Sequence, residues 1–158
     1  MKRDSDRPID SFDRKILAIL QRDNLTPQRE ISQRINLSPA AVHRRIRRLH
    51  NDKVIVADVA QVDPAALGRP LLIIVEVAVE SERLTELATL ERTFASAPEV
   101  QQCYYVTGEC DFVLVLTARD MAEYEAFTRR VFFASDNVKR FRTLVAMKVP
   151  KAGLSVPI

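Results

Sequence analysis

Apolar positions in the first third of the chain recur at helical spacing. Phe12, Ile16, Leu17, Ile19 and Leu20 share one face behind Asp10, a good N-cap, and Asp13 in the first turn suits the positive end of a helix. Asn24 marks the end of that helix. Thr26-Pro27 reads as a second N-cap followed by a first-turn proline, with Ile31 and Ile35 as the buried stripe of a short helix ending near Asn36-Leu37. Ser38-Pro39 repeats the signal and starts a third helix running to about His50. The tight connection Asn36-Leu37-Ser38 predicts a helix-turn-helix pair.

Beyond the third helix the period changes. Val54 to Val62 alternates well enough for a strand, and Asp63-Pro64 with Leu67-Gly68 marks a turn-rich linker and a domain boundary. The remainder reads strand, helix, strand, strand, helix, strand. The strands are Pro70 to Val79, Val100 to Thr107, Asp111 to Thr117 and Val138 to Val149. Leu84, Leu87, Ala88, Leu90 and Phe94 lie in the first helix. Asp120 caps the second, whose stripe is Tyr124, Phe127, Val131 and Ala134. The expected fold class is α+β, with a helix-turn-helix domain over residues 1–53, strand and linker over 54–68, and a ferredoxin-like βαββαβ domain over 69–158.

That topology leaves a problem. Leu71, Ile73, Val75, Val77 and Val79 form one apolar face of the first strand, while Leu72, Ile74 and Ala78, interrupted by Glu76, form another. Val113 and Val115 repeat the second face in the third strand. Two helices cover one face only, so the other needs the same sheet of a second copy, or the front domain folded back over it. Glu76 is then expected at the rim of the interface or paired with a basic group of the partner.

Composition narrows the class of protein. The chain has 158 residues, 47% of them hydrophobic and 28% charged, a globular composition. Apolar runs such as Leu71 to Val75 are far short of a membrane span, and no secretory signal is expected. Cys103 and Cys110 give neither a disulfide framework nor a zinc-ligand set, and His43 and His50 are the only histidines. No cofactor, metal or catalytic residue is expected. Net charge is +3, divided as +5 over residues 1–60 and −2 over residues 61–158, so a polyanion would meet the front half.

The third helix is the candidate surface. Val42, Ile46 and Leu49 cluster on one side, and the small or basic positions Ala40, Arg44, Arg47 and Arg48 fall opposite. Arg45 flanks the apolar stripe, so its head is expected to pair with Asp13 or Glu30. Arginines suit phosphate contact and bidentate reading of guanine, and Ala40 and Ala41 allow close approach to a groove. A solvated arginine face is the alternative. The DNA-contact candidates are Ser38, Ala40, Ala41, His43, Arg44, Arg47 and Arg48, with Arg47 and Arg48 on phosphates and Ala40, Ala41, His43 and Arg44 nearest base edges.

Several short stretches, in this order and spacing, resemble the leucine-responsive regulatory protein/AsnC (feast/famine) family of bacterial and archaeal transcription regulators. They are Ile9-Asp10-x-x-Asp13-Arg14-Lys15-Ile16-Leu17, Leu37-Ser38-Pro39, Arg44 to Leu49, Val54-Ile55, Asp63-Pro64, Leu67-Gly68, Pro98-Glu99-Val100, Cys103 and Val106-Thr107-Gly108-x-x-Asp111-Phe112. The resemblance implies homodimers packed sheet on sheet, often gathered into octamers, with a pseudo-palindromic double-stranded DNA site and a cytoplasmic, nucleoid-associated setting. It also implies a small effector, usually an amino acid, bound between dimers and lined by Thr107, Gly108, Asp111 and Thr143. A hairpin turn is the alternative role for Gly108 and Asp111.

Three positions depart from the family pattern. Lys53 stands where a glycine commonly precedes Val-Ile, Asn24-Leu25 stands for Gly-Arg, and Phe141 stands two positions before Thr143, where threonine is frequent. A phenyl group there narrows the pocket or favours an apolar ligand. Competing readings are an enzyme similar to the sirohaem decarboxylases and a ligand-sensing oligomer without DNA binding. The absence of histidine from the back half argues against the first, and the arginine helix against the second.

Overall fold

The computed structural model describes residues 8–158. The chain divides into two compact units, one formed by the chain up to Ala60 together with Ala152–Ile158, the other by Gln61–Lys151.

Among the described residues the first unit holds three helices: α1 (Ser11–Leu20), α2 (Gln28–Ile35) and α3 (Pro39–Asn51). The Asp10 carboxylate accepts from the Phe12 and Asp13 amides, and the Asp13 carboxylate accepts from the Asp10 amide at 3.1 Å, completing a capping box. Ser38 caps α3 by accepting from the Ala41 amide at 3.2 Å. The start of α2 differs from the expectation. Pro27 is its N-cap and makes no side-chain cap, while the Thr26 hydroxyl turns back to the Asp23 carbonyl at 2.8 Å. Asn36 closes α2 in the left-handed conformation (φ 55°), which asparagine tolerates. Ile16, Ile31, Ile35, Val42 and Leu49 meet as the core. The tail joins this unit through Gln21, whose side-chain amide donates to the Val156 carbonyl at 3.0 Å and accepts from its N–H at 2.7 Å.

Lys53 shows why glycine is favoured at its position. Its φ is 58°, and around it the Val54 amide donates to the Leu49 carbonyl (2.9 Å) and the Lys53 amide to the His50 carbonyl (3.0 Å). This is a Schellman ending, whose left-handed residue carries no Cβ penalty only when it is glycine. Lys53→Gly is expected to stabilise the unit by about 1 kcal/mol, read as a higher denaturation midpoint of α1–α3; an unchanged or lower midpoint would contradict the strain.

The strand expected over Val54 to Val62 is not formed. That segment has no ladder partner among the described residues, and Val56 and Val59 are 84% and 81% exposed. Alternation supplies the side-chain pattern of a strand, but a strand also needs a partner for its N–H and C=O groups.

In the second unit a 3-10 turn (Ala65–Leu67) leads into β1 (Leu71–Val79), α4 (Leu84–Ser96), β2 (Val100–Tyr105), β3 (Phe112–Ala118), α5 (Met121–Val131) and β4 (Val138–Val145). The sheet order is β2-β3-β1-β4, with every pairing antiparallel. This is the expected ferredoxin-like α+β arrangement. One face packs Ile73, Val75, Val77, Phe112, Leu114 and Leu116 against Leu87, Leu90 and Phe94 of α4 and Tyr124, Phe127 and Val131 of α5. Ala134 lies beyond the end of α5 and is exposed; Phe132 fills the core instead, 5.3 Å from the Phe127 ring and 4.7 Å from Phe141.

On the other face Leu72, Ile74, Val113 and Val115 are half-buried, and Leu144 is 43% exposed. Glu76 does not await a partner. It stands directly opposite Arg142 on β4 and binds it at 2.7 Å, and the guanidinium holds its carboxyl below the ordinary range.

Candidate nucleic-acid interface

The arginines of α3 separate into two sets. Arg45 donates to Asp10 at 2.7 Å and to Asp13 at 2.8 Å, and its guanidinium lies 5.5 Å from the Phe12 ring centre. Arg48 also binds Asp13, and its Nε lies 3.9 Å from the Asp52 carboxylate. Asp13 is fully buried. Its carboxylate therefore holds α1 to α3 through two cations while closing the N-cap of α1. The Asp13 amide, acting against a burial penalty and joined by Arg45, holds the Asp10 carboxyl down at about 2, from an ordinary 3.8.

This corrects the expectation for Arg48. It follows Arg45 by three residues, so both lie on the flank of α3 facing α1, where the long stem of Arg48 reaches the buried carboxylate. Glu30 is not the partner of Arg45; it pairs with Arg34 at 2.5 Å.

Arg44 and Arg47 form the second set. Both are exposed, and neither has a hydrogen bond or ion pair among the described residues. Ala40 and His43 are exposed beside them, Ala41 is half-buried, and Ser38 lies at the helix start. The exposed α3 face thus joins small side chains near its N-terminus to two unpaired cations. Such a face admits a phosphate backbone without first breaking protein contacts. Gln28, at the start of α2, was not among the sequence candidates, yet its Oε1 lies 3.1 Å from His43 Nδ1. Fifteen residues separate the two, and no spacing rule links them.

The effector candidates do not form one cluster within a chain. Thr107 and Gly108 are exposed in the turn between β2 and β3, and Gly108 has φ 137°, which side chains rarely adopt. Asp111 lies at the foot of that turn. Its carboxylate accepts from the Val79 amide at 2.7 Å, standing in for a ladder carbonyl where β3 turns away from β1. Thr143 is on β4, across β1 from the turn, and shares the helix-facing side with Val75. Its hydroxyl lies 2.5 Å from the Tyr124 hydroxyl. Among the described residues no hydrogen bond joins Thr143 to the turn. Phe141 packs on Phe132 and Phe133. Beside the turn lies a depression lined by Glu76, Ala78, Glu109, Cys110, Arg140, Phe141 and Arg142, of which Glu109 and Cys110 occupy the unspecified positions of Gly-x-x-Asp.

The bond between Asp111 and Val79 has a stability consequence. Asp111→Ala leaves a buried N–H unpaired and is expected to cost about 1–3 kcal/mol in denaturant unfolding, while Asp111→Asn, which keeps an acceptor oxygen, recovers most of it. Equal stability of Asp111→Ala and the unmodified chain would contradict this role.

Two family models match the chain: the AsnC-type helix-turn-helix domain over residues 9–50 and the Lrp/AsnC ligand binding domain over residues 72–156. An uncharacterised HTH-type transcriptional regulator of Sinorhizobium fredii is 42% identical over 95% of this chain and 89% of its own length. The crystal structure of an AsnC family transcriptional regulator from Agrobacterium tumefaciens superposes with a TM-score of 0.88 at 29% identity, covering 94% of this chain and 96% of that one. A transcriptional regulator from Neisseria meningitidis, solved as a complex with L-methionine, also gives 0.88, at 25% identity and with 95% and 97% covered. The enzyme reading is set aside, and the chain belongs to the Lrp/AsnC family of transcriptional regulators.

Proposed function

We propose that this chain is a sequence-specific regulator in which α3 enters the major groove, with Arg44 and Arg47 supplying the charge contacts and Ala40, Ala41 and His43 nearest base edges. The observation that carries the reading is the division of the arginines: Arg45 and Arg48 are held by buried or half-buried carboxylates, and Arg44 and Arg47 are not. Ser38 acts chiefly by capping α3. Such a protein works on the chromosome in the cytoplasm. The half-buried apolar face of the sheet supports pairing of two copies, so that two heads meet a pseudo-palindromic site, with further assembly toward an octamer.

The effector is an amino acid, by analogy with the L-methionine complex of the Neisseria meningitidis relative. Thr107, Gly108 and Asp111 lie across β1 from Thr143, which favours a site completed by a second copy over one contained in a single chain. The test is calorimetric titration of the full chain with each standard amino acid, combined with light scattering. Binding of one of them to a species larger than the 18.0 kDa monomer supports the reading. A monomer at micromolar concentration, or no binding by any amino acid, overturns it.

A further inference from the structure

The bond between Gln28 and His43 gives the recognition face a chemical polarity. Gln28 is the first residue of α2, and His43 is exposed on α3. Gln28 presents its carbonyl oxygen, which carries no hydrogen, to His43 Nδ1 at 3.1 Å. The bond therefore requires the ring proton on Nδ1, and in the neutral imidazole Nε2 is then a lone-pair acceptor on the opposite edge of the ring. Over residues 39–48 of α3 the other side chains are alanine, valine, isoleucine, proline and arginine, none of which has an acceptor. His43 Nε2 is thus the one side-chain acceptor in a stretch whose other polar side chains all donate.

Donors and acceptors on base edges sort accordingly. Arginine meets the O6 and N7 acceptors of guanine, whereas a lone acceptor meets the exocyclic amino group of adenine or cytosine. We propose that His43, held in its Nδ1-protonated form by Gln28, selects a base carrying a major-groove amino group at one position of each half-site. Gln28 is then a positioning residue for specificity. This rests on the proposed binding of DNA by α3 and adds to it a base class and a second residue.

The test uses the full chain on its selected operator at about pH 8, above the ordinary imidazole range. Competition against half-sites permuted base by base should show one position where adenine or cytosine is preferred over guanine and thymine by about fivefold, the worth of one net hydrogen bond. His43→Ala should flatten that position and leave the others unchanged. Nitrogen-15 spectra of the His43 ring should show the proton on Nδ1 in the unmodified chain and a shift toward Nε2 in Gln28→Ala, with a matching loss of preference. A ring protonated on Nε2 in the unmodified chain, or an unaltered base profile in His43→Ala, overturns this inference alone. An unmodified chain that selects no DNA sequence overturns the DNA reading and this inference together.

Discussion

Asp13→Ala is expected to lower the stability of the three-helix unit by about 3 kcal/mol, the scale for removing one partner of a buried ion cluster. The carboxylate is fully buried and accepts from the Asp10 amide, Arg45 and Arg48. Its loss opens the capping box and leaves two guanidiniums without their shared counter-charge. Arg48 suffers more, because its Nε is already buried without a hydrogen bond. Amide exchange should therefore accelerate in α1 and α3 while β1 and β3 stay protected. A double-mutant cycle with Arg48→Ala should return a large coupling between the two sites. Unchanged exchange in α1 and α3 would show that the cluster contributes little.

Removing Arg44 and Arg47 together is expected to act in the opposite way, on binding rather than folding. Both side chains are exposed, and neither is paired among the described residues, so Arg44→Ala with Arg47→Ala should leave the stability of the unit within about 0.5 kcal/mol. Operator affinity should fall about 100-fold or more at ~0.15 M salt, and the dependence of log affinity on log salt should flatten by close to one unit for each phosphate left without its cation. The pair Arg45→Ala with Arg48→Ala is the contrasting control, destabilising the helices first. If the Arg44/Arg47 variant bound the operator as the unmodified chain does, the exposed face of α3 would not be the DNA surface.

Much of this architecture is legible in the chain because local signals agree with tertiary packing. Asp10 and Ser38 cap the helices they precede, and the period-two runs of β1 and β3 place Ile73, Val75, Leu114 and Leu116 inward. The features that escape a sequence reading depend on partners distant along the chain. Val54 to Val62 alternates like a strand, yet no ladder partner stands beside it among the described residues. Arg48 reads as exposed on a helical wheel that ignores the length of its stem, and only the position of Asp13 shows where the head goes. Thr26-Pro27 carries a cap signal, but the Asp23 carbonyl claims the threonine hydroxyl instead. The Gly-x-x-Asp turn is identifiable from its residues, but the bond from Val79 to Asp111 is not, since it depends on how β3 leaves β1.

Whether paired heads present Arg44 and Arg47 to DNA is decided by footprinting the full chain on a fragment enriched from genomic DNA. Two protected half-sites are expected, related by approximate two-fold symmetry and centred about one helical turn apart, both lost in the Arg44/Arg47 double variant. Uniform protection without half-sites, or the same footprint from the double variant, would show that these heads do not bind DNA in this way.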